Sequence, residues 1–308
     1  MQEFALDQAS GLRDLINKYS NDVWELRKDG RTYSKSSNPP KVIAVTSGKG
    51  GVGKTNVVGN LAIAFSRLKK NVMIFDGDLG LANIDVLLGI RSKYHIQHVI
   101  SGEKNLSEII ETGPENVKII PGGSGLQKLS NLSEGERLLL LNEFDSLDNT
   151  QVDIFLIDTG AGISTNITYL NMAAEERIVI STPEPTSITD AYALIKVMHQ
   201  QHGTNEFKLL VNMAKNRREA EAVFNNIHNN LSRFLQDIQL DYLGYIYRDE
   251  HIQKSVRKQI PVVISYPKSA SGKQFQKLAR KILDSTAQET NVKTLSFFWK
   301  KFMSNLQL

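Results

Sequence analysis

The chain divides by the spacing of its apolar side chains. Over residues 4–26, Leu12, Leu15, Ile16, Tyr19 and Val23 recur at helical spacing, which predicts one amphipathic helix spanning 1–26. Residues 27–40 lose that pattern. They are polar, carry a glycine and two prolines, and are expected to form a linker. From Lys41 short apolar runs take over: Val42–Thr46, Val72–Phe75, Val117–Ile120, Ile154–Ile157, Ile178–Ser181, Leu209–Asn212 and Leu243–Tyr247. Continuous Val, Ile and Leu suit strands buried on both faces. Helical patterns lie between most of them, one opened by the capping box of Ser133 and Glu136 before Leu138–Leu141. This alternation predicts an α/β fold over 41–288: a mostly parallel, doubly wound sheet with helices on both faces. Ligands of such folds bind at the carboxyl ends of the strands.

The last segment, 289–308, changes pattern again. Leu295, Phe298, Trp299, Phe302, Met303 and Leu306 share one helical face, with Ser296, Lys300, Ser304 and Gln307 opposite. Rings on one side and lysines on the other suit a helix lying in an anionic membrane interface. The same stripe also suits a helix docked on the domain's own core. The polar stretch Asp284–Asn291 before it looks like a tether and favours the membrane reading.

Composition narrows this picture little. The 308 residues have an ordinary globular make-up with a net charge of +4, which permits a basic patch without requiring one. There is no cysteine, so no disulfide, thiolate-held metal or iron–sulfur cluster is expected. No apolar run is long enough to span a bilayer, and the start is acidic with no apolar leader region. The expected location is the cytoplasm.

The chemistry concentrates at strand ends. Ser47-Gly48-Lys49-Gly50-Gly51-Val52-Gly53-Lys54-Thr55 follows the first apolar run and leads into a helical pattern. Strand, glycine loop and helix is the context in which G-x-x-x-x-G-K-[ST] cradles phosphates. Backbone N–H groups converge on the anion, Lys54 reaches the β- and γ-phosphates, and the Thr55 hydroxyl meets Mg²⁺. The second strand ends in Asp76-Gly77-Asp78, two carboxylates leaving on the same side, beside that loop. A general base there stands within reach of a γ-phosphate. The run Ile154–Ile157 ends in Asp158-Thr159-Gly160-Ala161-Gly162, a Walker B arrangement whose buried carboxylate needs a cation. Asn212 closes another strand, and Arg248 and Asp249 follow Tyr247.

The second lysine of the loop, Lys49, is not needed by an ordinary phosphate loop. Lys-Gly-Gly-Val-Gly-Lys-Thr resembles the deviant Walker A of the MinD/ParA/nitrogenase-iron-protein superfamily. The resemblance implies a Mg²⁺-dependent ATPase that binds ATP or ADP through Gly48–Asn56 and closes into a homodimer on ATP, with Lys49 reaching the partner's nucleotide. It implies that Asp78 orients the attacking water, that Asp76 supports Mg²⁺ through water beside Thr55 and Asp158, and that Lys49 and Lys54 serve catalysis. It implies further that Asn212 reads adenine, with Arg248 and Asp249 walling the base. The family's usual Asp-x-Pro-Ala-Gly has Gly160 in place of proline here. Without cysteines, the branches that hold iron–sulfur centres are excluded.

At the other end, Asp7, Gln8, Ala9, Leu12 and Arg13 fit Asp-Gln-Ala-x-x-Leu-Arg, which is similar to the MinD-like regulators of flagellar number and placement, the FlhG (FleN, YlxH) group. That likeness implies an N-terminal segment that stimulates an FlhF-type GTPase, contacts with flagellar switch-complex or basal-body proteins, and reversible attachment to the inner face of an anionic membrane. No specific nucleic acid is expected. The rival readings are a division-site MinD, a ParA-type DNA-partitioning ATPase, and a metabolic P-loop enzyme.

Overall fold

The computed structural model describes residues 40–78, 83–123, 132–147, 151–235, 237–285 and 295–305. The expected N-terminal helix with Asp7, Gln8, Ala9, Leu12 and Arg13, the linker up to residue 39, part of the stretch after Asp78, and Leu306 lie outside them.

Eight strands form one sheet: β1 Lys41–Ser47, β2 Val72–Gly77, β3 Glu111–Thr112, β4 Lys118–Ile120, β5 Ile154–Ala161, β6 Glu176–Ser181, β7 Glu206–Ala214 and β8 Gln239–Tyr247. Their order is β3-β4-β2-β5-β1-β6-β7-β8, and only the short β3 runs antiparallel to its neighbour. The seven expected strands are present. Two-residue β3 carries no pattern that its sequence could reveal.

The helices are α1 Lys54–Arg67, α2 Ile84–Leu88, α3 Ile96–Ile100, α4 Leu106–Ile109, α5 Glu134–Ser146, α6 Thr165–Ala173, α7 Pro185–His202, α8 Arg217–Phe234, α9 Glu250–Arg257, α10 Val262–Ser265, α11 Ala270–Asp284 and α12 Leu295–Asn305. The Ser133 side chain accepts from the Glu136 N–H to start α5, as the capping box predicts. On one face of the sheet α1 and α11 cover Ile43, Val45, Ile74 and Leu156, with Leu61, Phe65, Phe275 and Ile282 between them. On the other face α7 and α8 cover Val179, Leu209 and Val211.

The remaining stretch of that second face is covered by α3, α4, α5 and α6 together with the C-terminal helix. Residues Leu295, Phe298, Trp299, Phe302 and Met303 of α12 are buried in one cluster with Val42, Phe75, Phe144 and Phe155. Trp299 stacks on Phe144 with centroids 3.6 Å apart and meets Phe75 edge-on at 4.9 Å. Phe298 meets Phe155 at 5.6 Å. The helix expected outside the ATPase domain is thus docked inside it. The physical reason is area: each large apolar side chain removed from water is worth about 1.5–3 kcal/mol, and without α12 the rings of Phe75 and Phe155 would lose their cover. The apolar stripe read from the sequence is real; here its partner is the sheet.

Candidate active site

The glycine loop joins β1 to α1 at the carboxyl edge of the sheet. Gly51 and Gly53 take φ of 79° and 84°, a left-handed backbone that side-chain-bearing residues rarely adopt. Gly48 is fixed differently: a Cβ there would lie 2.1 Å from the Asp190 carbonyl oxygen of α7. Close approach of the loop to α7 therefore requires glycine at this position.

Two adjacent strands deliver the carboxylates. Asp76 of β2 stands in register with Asp158 of β5, and both are buried. Lys54 Nζ donates to Asp158 Oδ1 at 2.6 Å. Asp76 Oδ1 accepts from the Asp78 N–H at 3.2 Å. Asp76 Oδ2 and Asp158 Oδ2 have no hydrogen-bond partner among the described residues. Burial, then the neighbouring Asp158, push the Asp76 carboxyl up to about 8. Burial also pushes Asp158 up, opposed by Lys54 and by the Thr55 hydroxyl beside it. Two desolvated carboxylates with unmet oxygens next to a threonine hydroxyl are the donor set of a hard divalent cation, so Mg²⁺ fits this chain's residues. Gly160 lies under Asp78: a Cβ on it would sit 3.7 Å from Asp78 Oδ1 and 3.2 Å from Ile167 Cδ1. The tighter of these contacts is with Ile167; the distance to the Asp78 carboxylate is ordinary van der Waals contact.

Lys49 is occupied within its own chain. Its Nζ donates to Glu184 Oε2 at 2.9 Å and to Thr186 Oγ1 at 2.7 Å. Asn212 is likewise engaged. Its Nδ2 donates to the Val52 carbonyl of the loop at 2.7 Å, and its Oδ1 accepts from the Met213 N–H at 3.0 Å. The amide ties the end of β7 to the phosphate loop and keeps one further donor and acceptor valence for a base edge.

Two contiguous cavities meet at Gly53 and Asn56, which line both. One, about 360 Å³, is lined by the loop with Asp78 and Asn83. The other, about 500 Å³, is lined by Asn212, Met213, Pro183, Glu184, Arg248 and Phe275 among others. Phosphates beside Lys54 and a base in the larger space match that shape. Arg248 and Asp249 both line the larger cavity. The Asp249 carboxylate is nevertheless a structural brace: it accepts from the His251 N–H at 2.9 Å and from the N–H and hydroxyl of Ser271. Burial opposes its charge, but the bonds from Ser271 and His251 outweigh it and hold the carboxyl well below the usual range. Asp249 thereby pins α9 to α11, one wall of the base cavity.

Glu184, Thr186 and Asp190 were not among the residues expected at the site. Their stretch signals a helix start through Pro185, and nothing local marks it as a neighbour of a loop more than 130 positions away.

A model of the ParA family, described as the NUBPL iron-transfer P-loop NTPase, matches residues 38–283. The iron in that description belongs to the model; this chain has no cysteine. The antiactivator FleN of Pseudomonas aeruginosa is 41% identical over 271 residues, 88% of this chain and 96% of that protein. The flagellum site-determining protein YlxH of Helicobacter pylori is 31% identical over 97% of this chain and 99% of its own length. Among solved structures, the septum site-determining protein MinD of Pyrococcus horikoshii with Mg-ADP aligns with a TM-score of 0.64 at 26% identity, covering 82% of this chain and all of that one. The MinC:MinD complex of Aquifex aeolicus gives 0.65 over 82% of this chain and 99% of that one, at 23% identity.

Proposed function

This chain belongs to the ParA family of P-loop NTPases and is a Mg²⁺-dependent ATPase, and we propose that it acts as a nucleotide-gated regulator of flagellar number and placement. The observation that carries the reading is the near full-length likeness to a flagellum site-determining protein and to an antiactivator, joined to a complete phosphate loop with its extra lysine.

Thr55, Asp158 and Asp76 would hold Mg²⁺, which when bound neutralises phosphate charge. The chain's own residues do the rest. Lys54, which donates to Asp158 Oδ1 at 2.6 Å, would reach the β- and γ-phosphates from the end of the loop. Asp78 orients water at the γ-phosphate and accepts its proton. Lys49 exchanges Glu184 for the nucleotide of a second copy. Exposed apolar side chains around the cleft support a dimer there: Val86, Val256 and Met213 line the two cavities, and Ile163 follows Ala161 at their rim.

The same reading gives the chain's ends their tasks. The N-terminal segment with Gln8 and Arg13 would complete the site of an FlhF-type GTPase. The C-terminal helix would engage an anionic membrane through Leu295, Phe298, Trp299, Phe302, Met303 and Leu306. Because five of these are buried on the sheet, membrane engagement requires α12 to undock. The fully buried Trp299 Nε1, which has no hydrogen-bond partner among the described residues, lowers the cost of that exchange, since an indole N–H finds partners at a membrane interface. Two weakly binding helices presented by a dimer gain avidity.

The test is complementation. In a flagellated bacterium lacking its own regulator of this kind, the chain should restore the normal flagellar count, and its Lys54→Ala form should not. Restoration failing for the wild-type chain, with its ATPase intact, would refute the flagellar role.

A further inference from the structure

Helix α11 carries predominantly positive charge. From Lys268 to Ser285 there are five cations, Lys268, Lys273, Lys277, Arg280 and Lys281, against the single carboxylate of Asp284. The whole chain is nearly balanced, with 37 Lys and Arg against 33 Asp and Glu. The imbalance is therefore local. It is also directional. Phe275, Leu278, Ala279 and Ile282 bury one face of α11 against α1 and the sheet, which leaves Lys273, Lys277, Arg280 and Lys281 on the exposed face at i, i+4, i+7 and i+8.

These cations are not used inside the protein, with one exception. Lys281 donates to the Tyr242 and Leu243 carbonyls, at 2.9 and 2.8 Å, and shields the edge of β8. Among the described residues no carboxylate forms an ion pair with Lys268, Lys273, Lys277 or Arg280. The crowding has a cost within the chain: burial first, then the neighbouring Lys208 and Lys277, lower the Lys281 pKa. Like charges kept together without partners indicate an anionic counterpart outside the chain.

We infer that the exposed face of α11 is a surface for anionic lipid headgroups, which acts together with the apolar C-terminal helix. This rests on the membrane reading above. Two features favour lipid over nucleic acid. The face is a straight stripe about 12 Å long from Lys273 to Lys281, without an exposed aromatic among the residues of α11. Stacking platforms would be expected for single-stranded nucleic acid. Further, α11 leads directly to the apolar helix. Nine residues separate Ser285 from Leu295, and they can span at most about 30 Å. An undocked α12 and the cationic face of α11 can therefore lie on one bilayer surface. The helix supplies apolar insertion, and the stripe selects for negative charge, a two-signal anchor of the kind a single short helix requires.

The experiment is vesicle flotation of the full chain with ATP and Mg²⁺, using phosphatidylcholine vesicles with and without phosphatidylglycerol. The variant is the triple substitution Lys273→Gln, Lys277→Gln, Arg280→Gln, which leaves Lys281 and the ATP site untouched, so its ATP turnover reports folding. Each cation at an anionic lipid surface contributes about fivefold to partitioning. The triple variant should bind phosphatidylglycerol vesicles at least tenfold more weakly than wild type at low salt. The gap should close as salt rises, and both proteins should bind neutral vesicles equally. Replacing the same residues so that all three are Arg or Lys (Lys273→Arg, Lys277→Arg, Arg280→Lys) should restore wild-type binding.

Equal binding of wild type and triple variant to the anionic vesicles overturns the inference and leaves the membrane reading standing. Wild type binding to neither vesicle defeats that reading and this surface with it. A triple variant that keeps its vesicle binding but loses retention on a double-stranded DNA fragment assigns the stripe to nucleic acid and also overturns the proposal. Should the triple variant misfold, the wild-type chain still decides: its preference for anionic over neutral vesicles must fall with salt, and a salt-independent preference contradicts an electrostatic surface.

Discussion

Lys49 and Glu184 form an ion pair within one chain, with Nζ 2.9 Å from Oε2 and the glutamate largely exposed. The lysine that distinguishes this phosphate loop is thus held by α7, the helix whose Asp190 carbonyl also presses on Gly48. Exposed pairs of this type are worth about 0–1 kcal/mol. Such a bond is cheap to exchange for a phosphate.

From that pair follows a contrast between two substitutions. Glu184→Gln should change thermal stability by less than about 1 kcal/mol and leave ATP-dependent dimerisation intact. Lys49→Ala should leave folding unchanged but abolish the dimer. Sedimentation velocity with ATP and Mg²⁺ reads both. A Lys49→Ala protein that still dimerises would remove the lysine from the interface.

The loop's glycines should differ sharply in tolerance. At Gly50 nothing lies within 4 Å of an added Cβ, and its φ is not in the left-handed range, so Gly50→Ala should melt like wild type. At Gly48 the added carbon meets backbone at 2.1 Å, which only a shift of the loop or α7 can relieve. Gly48→Ala should weaken nucleotide binding by at least tenfold. Titration with a fluorescent ATP analogue separates the two, and equal affinities would contradict the packing described.

Asp76 makes Mg²⁺ binding depend on pH. Its carboxyl is raised from an ordinary 3.8 to about 8 by burial and by Asp158. Between those values the folded chain keeps a proton that the unfolded chain has lost. This group's contribution to stability therefore falls as pH rises through the window and is flat above about 8. Cation binding needs the charged form, so Mg²⁺ affinity in the presence of ADP should climb from pH 6 towards pH 8 and then level. Calorimetric titration of Asp76→Asn should give a shallower climb; an unchanged slope would place the proton elsewhere.

The docked C-terminal helix can be followed through its own ring. Trp299 is one of two tryptophans, the other being Trp24, so a Trp24→Phe background isolates it. Its buried stack on Phe144 predicts blue-shifted emission in the resting chain. ATP with anionic vesicles should change that emission, whereas ADP should not. Trp299→Ala should cost about 3–5 kcal/mol in urea unfolding, the scale of a large core ring. A cost under about 1 kcal/mol would mean that α12 is not part of the folded core.

Strands and nucleotide chemistry were legible in the sequence because both are local. A strand buried on two faces must be apolar at every position, so Val42–Thr46 and Ile154–Ile157 reveal themselves. A phosphate loop needs its glycines and lysine at fixed spacing, so Gly48 to Thr55 does likewise. Asp249 was legible only as a residue near the base; that its carboxylate is spent on Ser271 depends on a helix more than twenty positions away. Asn212 shows the same limit, since its amide braces Val52 across 160 positions.

The apolar stripe of the last helix makes the division clearest. The order of residues determined that Leu295, Phe298, Trp299, Phe302 and Met303 share a face, because 3.6 residues per turn is a property of the backbone alone. It could not determine what that face meets, since a bilayer and a sheet of phenylalanines exclude water equally well. Only the tertiary structure decided this, by leaving a gap between α5 and α6 above Phe75 and Phe155 that α12 fills. The same holds for Lys49. Its place in the loop is written in the sequence, but its bond to Glu184 exists because the parallel sheet brings the ends of β1 and β6 side by side.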